Sequence, residues 1–579
     1  MQPFEILLGR GLLTSDDVER LRRKGEELPL DQAAVDARLV TEDAVLQAYS
    51  EELCIPYIEP SRLTVDQRAR DCLTARAIDR HQALPYAFDG EHLLVAVADP
   101  FRADVFDELR MLSGRPIRIV LARREELRRA IKEHVGLGGG TLEEMSAKSG
   151  VEAAADDADD ASLAEDASVM RLVNELLSDA FSRRASDVHI EPTPGGATIR
   201  YRIDGLLQPE LTTSELNRFR LAIVSRIKIM AKLNIAERRL PQDGRIRLHL
   251  ASGEKDVRVS IIPMLHGEGV VMRLLDSQRS VRGIDEIELP PAIATPFNSL
   301  IRSPHGIILV TGPTGSGKTT TLYAALATLR SPQTKIVTIE DPVEYELPGV
   351  NQIQVQSKVG LTFAAGLRSV LRHDPDIILV GEIRDEETAR SAIQAALTGH
   401  LVFSTLHTND ALGAYTRLID MGIEPYLAAG TVIGVLAQRL VRRLCLHCRT
   451  PYAPIDAELP LDFPRPIPRV LWRAVGCREC QFTGYSGRSA VFEFVRSAPS
   501  IRDACQRRSN AAELHAAALA AGFEPLRRDG WNKVLEGVTT IEEVDRVSGA
   551  DWDPVALQEA TTSDACISLL SSRRRRQAD

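Results

Sequence analysis

The chain has no long hydrophobic run. Its most apolar stretch, Tyr426 to Val441, contains Gln438 and Arg439 and falls short of the roughly 20 apolar residues that cross a bilayer. No basic-then-apolar segment opens it, so neither export nor membrane insertion is expected and the cytoplasm is the expected compartment. Cationic excess is missing too: 71 Lys and Arg against 81 Asp and Glu leave a formal charge of −10. That excludes a global attraction to nucleic acid or anionic lipid. Aromatic residues make up only 5% of the chain, and no RNA- or DNA-binding module is recognisable, so a nucleic-acid translocase lacks its basic stripe. Cysteine is scarce at eight residues in 579, and four of the eight form the pairs Cys445-Leu-His-Cys448 and Cys477-Arg-Glu-Cys480. In a large chain without a signal, such pairs point to metal binding rather than disulfides.

A chain of 579 residues exceeds what one core supports, and about three to five domains are expected. Residues 1–137 read as helix-rich, with Thr14-Ser-Asp-Asp and Thr41-Glu-Asp each capping an amphipathic helix, as two related half-units. The strand His92 to Ala98 and the charged helix Arg123 to His134 complete that region. Residues 138–166 are rich in Gly, Ala and acids, a composition that cannot offset ordering entropy, and read as a flexible linker. Residues 167–281 read as a compact α+β domain: helix, strands Asp187 to Glu191 and Ala197 to Ile203, helix Leu216 to Ala236, then three strands. Strands at Gly306 to Thr311, Lys335 to Glu340, Ile377 to Glu382 and Leu401 to Thr405 alternate with helices through 282–438. That alternation implies a parallel sheet covered on both faces. The cysteine pairs occupy 439–500, small helices 501–548, and a disordered tail 549–579, whose run Arg573 to Arg576 reads as a solvated end.

Gly312-Pro-Thr-Gly-Ser-Gly-Lys-Thr319 follows an apolar strand and opens the helical stretch Thr320 to Leu329, the context a phosphate-binding P-loop requires. Gly312, Gly315 and Gly317, with Pro313, Thr314, Ser316 and Thr320 completing the loop, let backbone N–H groups turn inward. Lys318 is placed to reach the β- and γ-phosphates of a nucleoside triphosphate and Thr319 to ligate Mg²⁺. The apolar strand Asp376 to Glu382 delivers a carboxylate at its C-terminal end, where ligands of open parallel sheets bind, and Glu382 is the expected general base or water-positioning residue. Gly381 stands where an aspartate is usual, so the acidic cluster Glu340-Asp-Pro-Val-Glu344 is expected to share metal and water duties. His400 and His407 bracket the next strand, and His407 is placed to donate to a phosphate or bind a metal.

The runs Glu340 to Glu344, Leu367-Arg-Ser-Val-Leu-Arg-His-Asp-Pro-Asp376, Gly381-Glu-Ile-Arg-Asp385 and Thr398 to Asn409 closely resemble the secretion ATPases of type II secretion and type IV pilus systems. Ala185-Ser-Asp-Val-His-Ile-Glu-Pro192 and Leu240-Pro-Gln-Asp-Gly-Arg245 resemble that family's second N-terminal domain. The resemblance implies a multidomain α/β protein: a RecA-like P-loop ATPase core, a PAS-like α+β partner domain, a tetracysteine zinc subdomain and a helical N-terminal docking domain. It implies a homo-hexamer with ATP and Mg²⁺ between the partner domain and the core. It assigns Arg258 and Arg273 of the partner domain, with Arg368 and Arg384 of the core, as arginine fingers. On their strands Arg258 and Arg273 alternate with apolar residues, so one face packs while the guanidinium reaches outward.

Cys445, Cys448, Cys477 and Cys480 offer four thiolates as two knuckles, which suits Zn²⁺ in a closed structural site with His447 a bystander. Cys54, Cys72, Cys505 and Cys566 show no partner pattern. The N-terminal region resembles a domain that in some relatives binds cyclic di-GMP through Leu-Gly repeats. Here Asp31 and Ala37 stand where glycines are expected, so docking to the cytoplasmic domain of a membrane-anchored secretion protein is the expected role. An inner-membrane platform protein and acidic phospholipid are the other implied partners, with peripheral attachment to the inner membrane and no nucleic acid. The knuckles and the long N-terminal extension disfavour pilus retraction; Glu344 to Val350 and Asp420 to Pro425 lean toward secretion over pilus extension. An inert regulatory protein is disfavoured by intact Lys318, Thr319 and Glu382.

Overall fold

A computed structural model describes residues 3–23, 30–37, 39–58, 65–135, 167–209, 219–250, 253–275, 283–477 and 479–548. The expected linker at 138–166 and tail at 549–579 lie outside them. The chain divides into two compact units, Met1–Ser277 and Gln278–Asp579.

The first unit opens with the helices Pro3–Gly9, Ser15–Arg23, Leu30–Asp36 and Glu42–Leu53, packed around Leu7, Leu46 and Tyr49. Both predicted caps form: Asp17 N–H donates to the Thr14 hydroxyl and Ala44 N–H to that of Thr41. A small sheet follows, with β1 (Ala83–Asp89), β2 (His92–Val97) and β3 (Ile117–Leu121) in that order. The helix Arg124–Val135 covers it.

After the helix Ala167–Ser182 come β4 (Ala185–Thr193), β5 (Gly196–Ile203), β6 (Leu206–Pro209), β7 (Gln242–Leu250), β8 (Gly253–Met264) and β9 (Gly267–Leu275). They form an antiparallel six-stranded sheet in the order β6-β5-β4-β9-β8-β7. Two departures from the sequence reading stand out. β6 was not expected, yet Asp204-Gly205, both at positive φ, is the two-residue hairpin loop that forces the chain back on itself. The second helix spans only Arg220–Met230. It stops before Lys232, which takes positive φ, with Leu233 N–H bonded to Lys228 O and Lys232 N–H to Ile229 O; the Gln242 amide then holds the carbonyls of Asn234 and Glu237 in the loop that follows. Both helices lie against one sheet face, where Val257, Val259, Val270, Met272, Val188 and Ile199 are buried.

Alternation throws the intervening residues onto the other face. Register sets Arg245 opposite Arg258, Arg258 opposite Arg273, Arg273 opposite Asp187 and Asp187 opposite Arg202. The result is a row of four arginines and one carboxylate across five strands.

In the second unit the strands are β10 (Gly306–Thr311), β11 (Ile336–Glu340), β12 (Asn351–Gln354), β13 (Ile377–Val380), β14 (Leu401–Leu406), β15 (Val432–Leu444), β16 (Thr450–Tyr452), β17 (Leu471–Arg473) and β18 (Tyr485–Arg496). Seven of them form one sheet, β12-β11-β13-β14-β10-β15-β18, parallel except for the last pair. Odd and even positions feed two cores. Leu309, Ile339, Val380 and Val402 enter one; Ile308, Ile336, Leu379 and Phe403 enter the other. The boundary expected at residue 438 falls inside β15, which runs on without a break to Leu444 and pairs with β18 along its length. The cysteine region is therefore an insertion at the open end of a hairpin that belongs to the nucleotide-site sheet.

Candidate active site and metal centre

β10 lies between β14 and β15 and carries the P-loop at its C-terminal end. Gly312, Gly315 and Gly317 all take positive φ, and a Cβ at Gly312 would lie 2.5 Å from the Gln438 carbonyl. The loop needs glycine there for space as well as conformation. The helix Lys318–Leu329 starts on this loop, so its unpaired N–H groups and positive end face the phosphate position. Lys318 Nζ donates to the carbonyls of Gly312 at 2.7 Å and Pro313 at 3.1 Å. Burial lowers its pKa to about 8 against the opposing pull of the Glu382 carboxylate, and the Arg439 charge lowers it further.

Glu382 sits just past β13, with its side chain 13% exposed. The end of that strand is held by β14: the Ser404 hydroxyl donates to Val380 O, the Thr405 hydroxyl to Gly381 O, and Ile383 N–H to Thr405 O. This clamp brings together residues far apart in sequence. Arg384 pairs with one carboxylate oxygen at 2.5 Å, and His407 Nε2 lies 3.2 Å from the other. The bond to Glu382 raises the Arg384 pKa, although burial opposes it. The departure at Gly381 has a steric reason, since a Cβ there would lie 3.2 Å from Ile339 O and 3.4 Å from the Glu340 backbone.

Glu340 lies inside the core. It shares the sheet face of Ile336 and Thr338 and is 4% exposed. Tyr323 donates to one oxygen, and Thr338 at 2.5 Å and Gln352 at 3.2 Å donate to the other. In this arrangement those neutral donors occupy both carboxylate oxygens inside the core. Glu344 lies close enough for its charge to act on Tyr323. Arg368 pairs with Glu387 rather than with the Glu382 cluster. His400 is a helix-end residue: its Nδ1 meets Ala395 O at 2.9 Å. In the first unit, Arg273 Nε donates to Asp187 at 3.1 Å, and Asp187 is buried while Arg273 is half exposed. Arg258 lies beside it in the cross-strand row.

The four cysteines converge with all Sγ atoms within 4.8 Å of one another. Cys445 to Cys477 and Cys448 to Cys480 are both 3.7 Å, and Cys477 to Cys480 is 3.8 Å. A tetrahedron with Zn–S bonds of about 2.3 Å has edges of about 3.8 Å, so these donors fit zinc. Backbone N–H groups support the sulfurs: Gly476 donates to Cys448, and Cys477 and Gly484 donate to Cys480. Burial opposes ionisation of Cys480, but those two donors together with the Cys448 and Cys477 thiols outweigh it and its pKa falls to about 7. His447 is exposed. Of the remaining cysteines, Cys54 is exposed, Cys72 half-buried and Cys505 buried; Cys566 lies outside the described residues.

Sequence reading missed Gln438, which is 1% exposed and bonds both Ser316 O and the Thr321 hydroxyl. A buried amide within an apolar strand was the available signal.

A glycine loop feeding a helix from a central parallel strand, with a carboxylate delivered two strands along, defines a P-loop nucleoside triphosphatase. The family described as Type II/IV secretion system protein matches residues 162–546, and the MshEN domain matches residues 53–141. The chain is 42% identical to type II secretion system protein E of Xanthomonas campestris, over 94% of this chain and 98% of that one. It is 52% identical to type II secretion system protein HxcR of Pseudomonas aeruginosa, over 66% of this chain and 78% of that one. It is 40% identical to the type IV pilus assembly ATPase PilB of Myxococcus xanthus, over 93% and 97%. The chain belongs to the type II/IV secretion system protein family, as an E-type ATPase of type II secretion.

Proposed function

We propose that the protein is the ATP-hydrolysing motor that extends a pseudopilus to drive protein export. The observation that supports this most is the Glu382 cluster, where a carboxylate is held between a cation and an imidazole in the same unit as the P-loop. In this reading Lys318 and the loop N–H groups hold the phosphates, and the Thr319 hydroxyl ligates Mg²⁺. Glu382 orients the attacking water and takes its proton, with His407 setting the carboxylate's direction. Arg384 and Arg368 supply cationic charge from the core. Arg258 and Arg273 supply it from the arginine row, in a hexameric ring whose closure brings them to the γ-phosphate. Zinc, held by Cys445, Cys448, Cys477 and Cys480, ties the insertion together and takes no part in hydrolysis.

The N-terminal helices dock to the cytoplasmic domain of a membrane-anchored secretion protein, and an inner-membrane platform protein receives the motion. Attachment to the inner membrane is then peripheral. Among the described residues no helix is long and apolar enough to cross a membrane. The proposed domain limits are 1–137, 167–281, 282–438, 439–500 and 501–548, except that the end of β15 and all of β18 go with the sheet of the third. Pilus extension is the second reading, favoured by the likeness to PilB across 93% of the chain. Disrupting the gene separates the two. Exported enzymes retained in the periplasm support the secretion reading; loss of surface pili with export intact overturns it.

A further inference from the structure

The helix Lys318–Leu329 and the P-loop before it are not held in shape by their own hydrogen bonds alone. On β15, Gln438 is buried to 1% exposure, and both ends of its amide are used: Nε2 donates to Ser316 O at 2.7 Å, and the Thr321 hydroxyl donates to Oε1 at 2.8 Å. One side chain therefore joins the loop to the helix it opens. In a trans peptide the carbonyl and the next N–H point in opposite directions. Fixing the Ser316 carbonyl toward β15 thus fixes the Gly317 N–H toward the phosphate side.

The glycines answer to the same residue. A Cβ at Gly317 would lie 2.9 Å from the Gln438 amide nitrogen, and one at Gly312 would lie 2.5 Å from the Gln438 backbone oxygen. Across the hairpin, Ala437 is opposite Glu493 on β18. The Glu493 carboxylate accepts Ala411 N–H at 2.5 Å, just beyond His407, and Leu526 N–H at 2.8 Å. Next along β15, the Arg439 guanidinium donates to Asn409 O at 3.1 Å. The β15–β18 hairpin thus touches both loops that carry the nucleotide chemistry.

We propose that Gln438 is a positioning residue for ATP binding, acting through the Ser316–Gly317 peptide to aim the loop's N–H groups at the phosphates. This rests on the P-loop being the ATP site. Truncating or reshaping the amide misaims donors that the folded protein otherwise keeps in place, so nucleotide affinity falls in a chain that still folds. Thr321 uses only the other end of the amide, and its removal leaves the Ser316 bond standing.

The test uses the full-length protein, titrated with a fluorescent ADP analogue and assayed for ATP hydrolysis. Gln438→Met keeps length and volume but removes the amide; Gln438→Glu keeps the acceptor for Thr321 and sets a carboxylate oxygen against the Ser316 carbonyl. Both variants are expected to weaken ADP binding and raise the KM for ATP by about tenfold, the loss of one buried hydrogen bond. The kcat is expected to fall less, and Thr321→Val to change the ADP Kd by no more than about threefold. Hydrogen exchange at 313–317 reads the loop directly and is expected to speed up in both Gln438 variants. If either variant folds with wild-type ADP affinity, KM and loop exchange, the proposal is wrong. Equal loss of affinity in Thr321→Val also overturns it, because that outcome marks general destabilisation. Should the wild type bind no ADP, or Lys318→Ala bind it normally, the ATP-site reading fails instead.

Discussion

Glu340 ends β11 and Glu382 follows β13, its parallel neighbour, and both are largely buried, yet their surroundings differ in kind. Glu340 faces Tyr323, Thr338 and Gln352, neutral donors within the core. Glu382 faces Arg384 and His407, whose side chains are 65% and 49% exposed. A carboxylate saturated by neutral buried donors is a structural device; one held by a guanidinium and an imidazole that themselves reach solvent is still available to a water and a phosphate. Asp187 falls with Glu382, since its partner Arg273 is 51% exposed.

If that distinction is sound, the largest effect belongs to the arginine that Asp187 holds. Arg273→Ala is expected to slow partner-stimulated hydrolysis on the order of 10³-fold, as loss of an arginine finger does. Full stimulated turnover in that variant would hand the role to Arg258, Arg368 or Arg384. Glu382→Gln comes next: it should retain ATP binding and lose turnover on the order of 10²-fold, because shape survives while the base is gone. Glu340→Gln should do the reverse, leaving kcat within about threefold and destabilising the core by about 1–3 kcal/mol, the cost of unsatisfied buried donors.

Zinc sharpens the comparison from outside the nucleotide loops. Elemental analysis should find one zinc per chain; its removal should disorder the insertion between β15 and β18 before it affects the rest of the sheet. Four freely titratable thiols in the native protein would contradict the site.

A pH dependence follows from the same hairpin. Burial raises the Glu493 pKa from 4.5 to about 7, with the Asp410 charge adding to the rise and the Ala411 and Leu526 N–H groups and the Arg439 charge opposing it. Since the folded value lies above the unfolded one, the stabilisation is complete below pH 4.5 and is lost as pH rises through 7, by about 3 kcal/mol. The melting temperature of the wild type relative to Glu493→Gln should therefore fall between pH 5 and 8. Parallel profiles for the two proteins would rule that out.

Local chemistry made much of the molecule legible beforehand. The P-loop carries its own spacing, the two caps at Thr14 and Thr41 sit where side-chain oxygens demand them, and paired cysteines name their own cluster. Pairing across sequence was harder. Nothing local tells that Ser404 and Thr405 clamp the end of β13, so the meeting of His407 with Glu382 was unreadable before the β13–β14 register was known. The surroundings of Glu340 were unreadable because an acidic run at a strand end looks the same whichever face each residue takes, and parity with Ile336 and Thr338 decides it. β12 was missed because Asn351-Gln-Ile-Gln354 is short and polar, as an edge strand can be. β15 was passed over because its apolar run was weighed only as a membrane candidate.

Single-turnover hydrolysis measured beside thermal melting, for Glu382→Gln and Glu340→Gln in the full-length protein, tests the contrast most directly. Glu382→Gln is expected to bind ATP, melt close to the wild type and cleave on the order of 10²-fold more slowly; Glu340→Gln is expected to cleave within about threefold of the wild type and melt earlier. If Glu340→Gln melts normally but fails to cleave, or Glu382→Gln cleaves at the wild-type rate, the assignment of the two carboxylates is wrong.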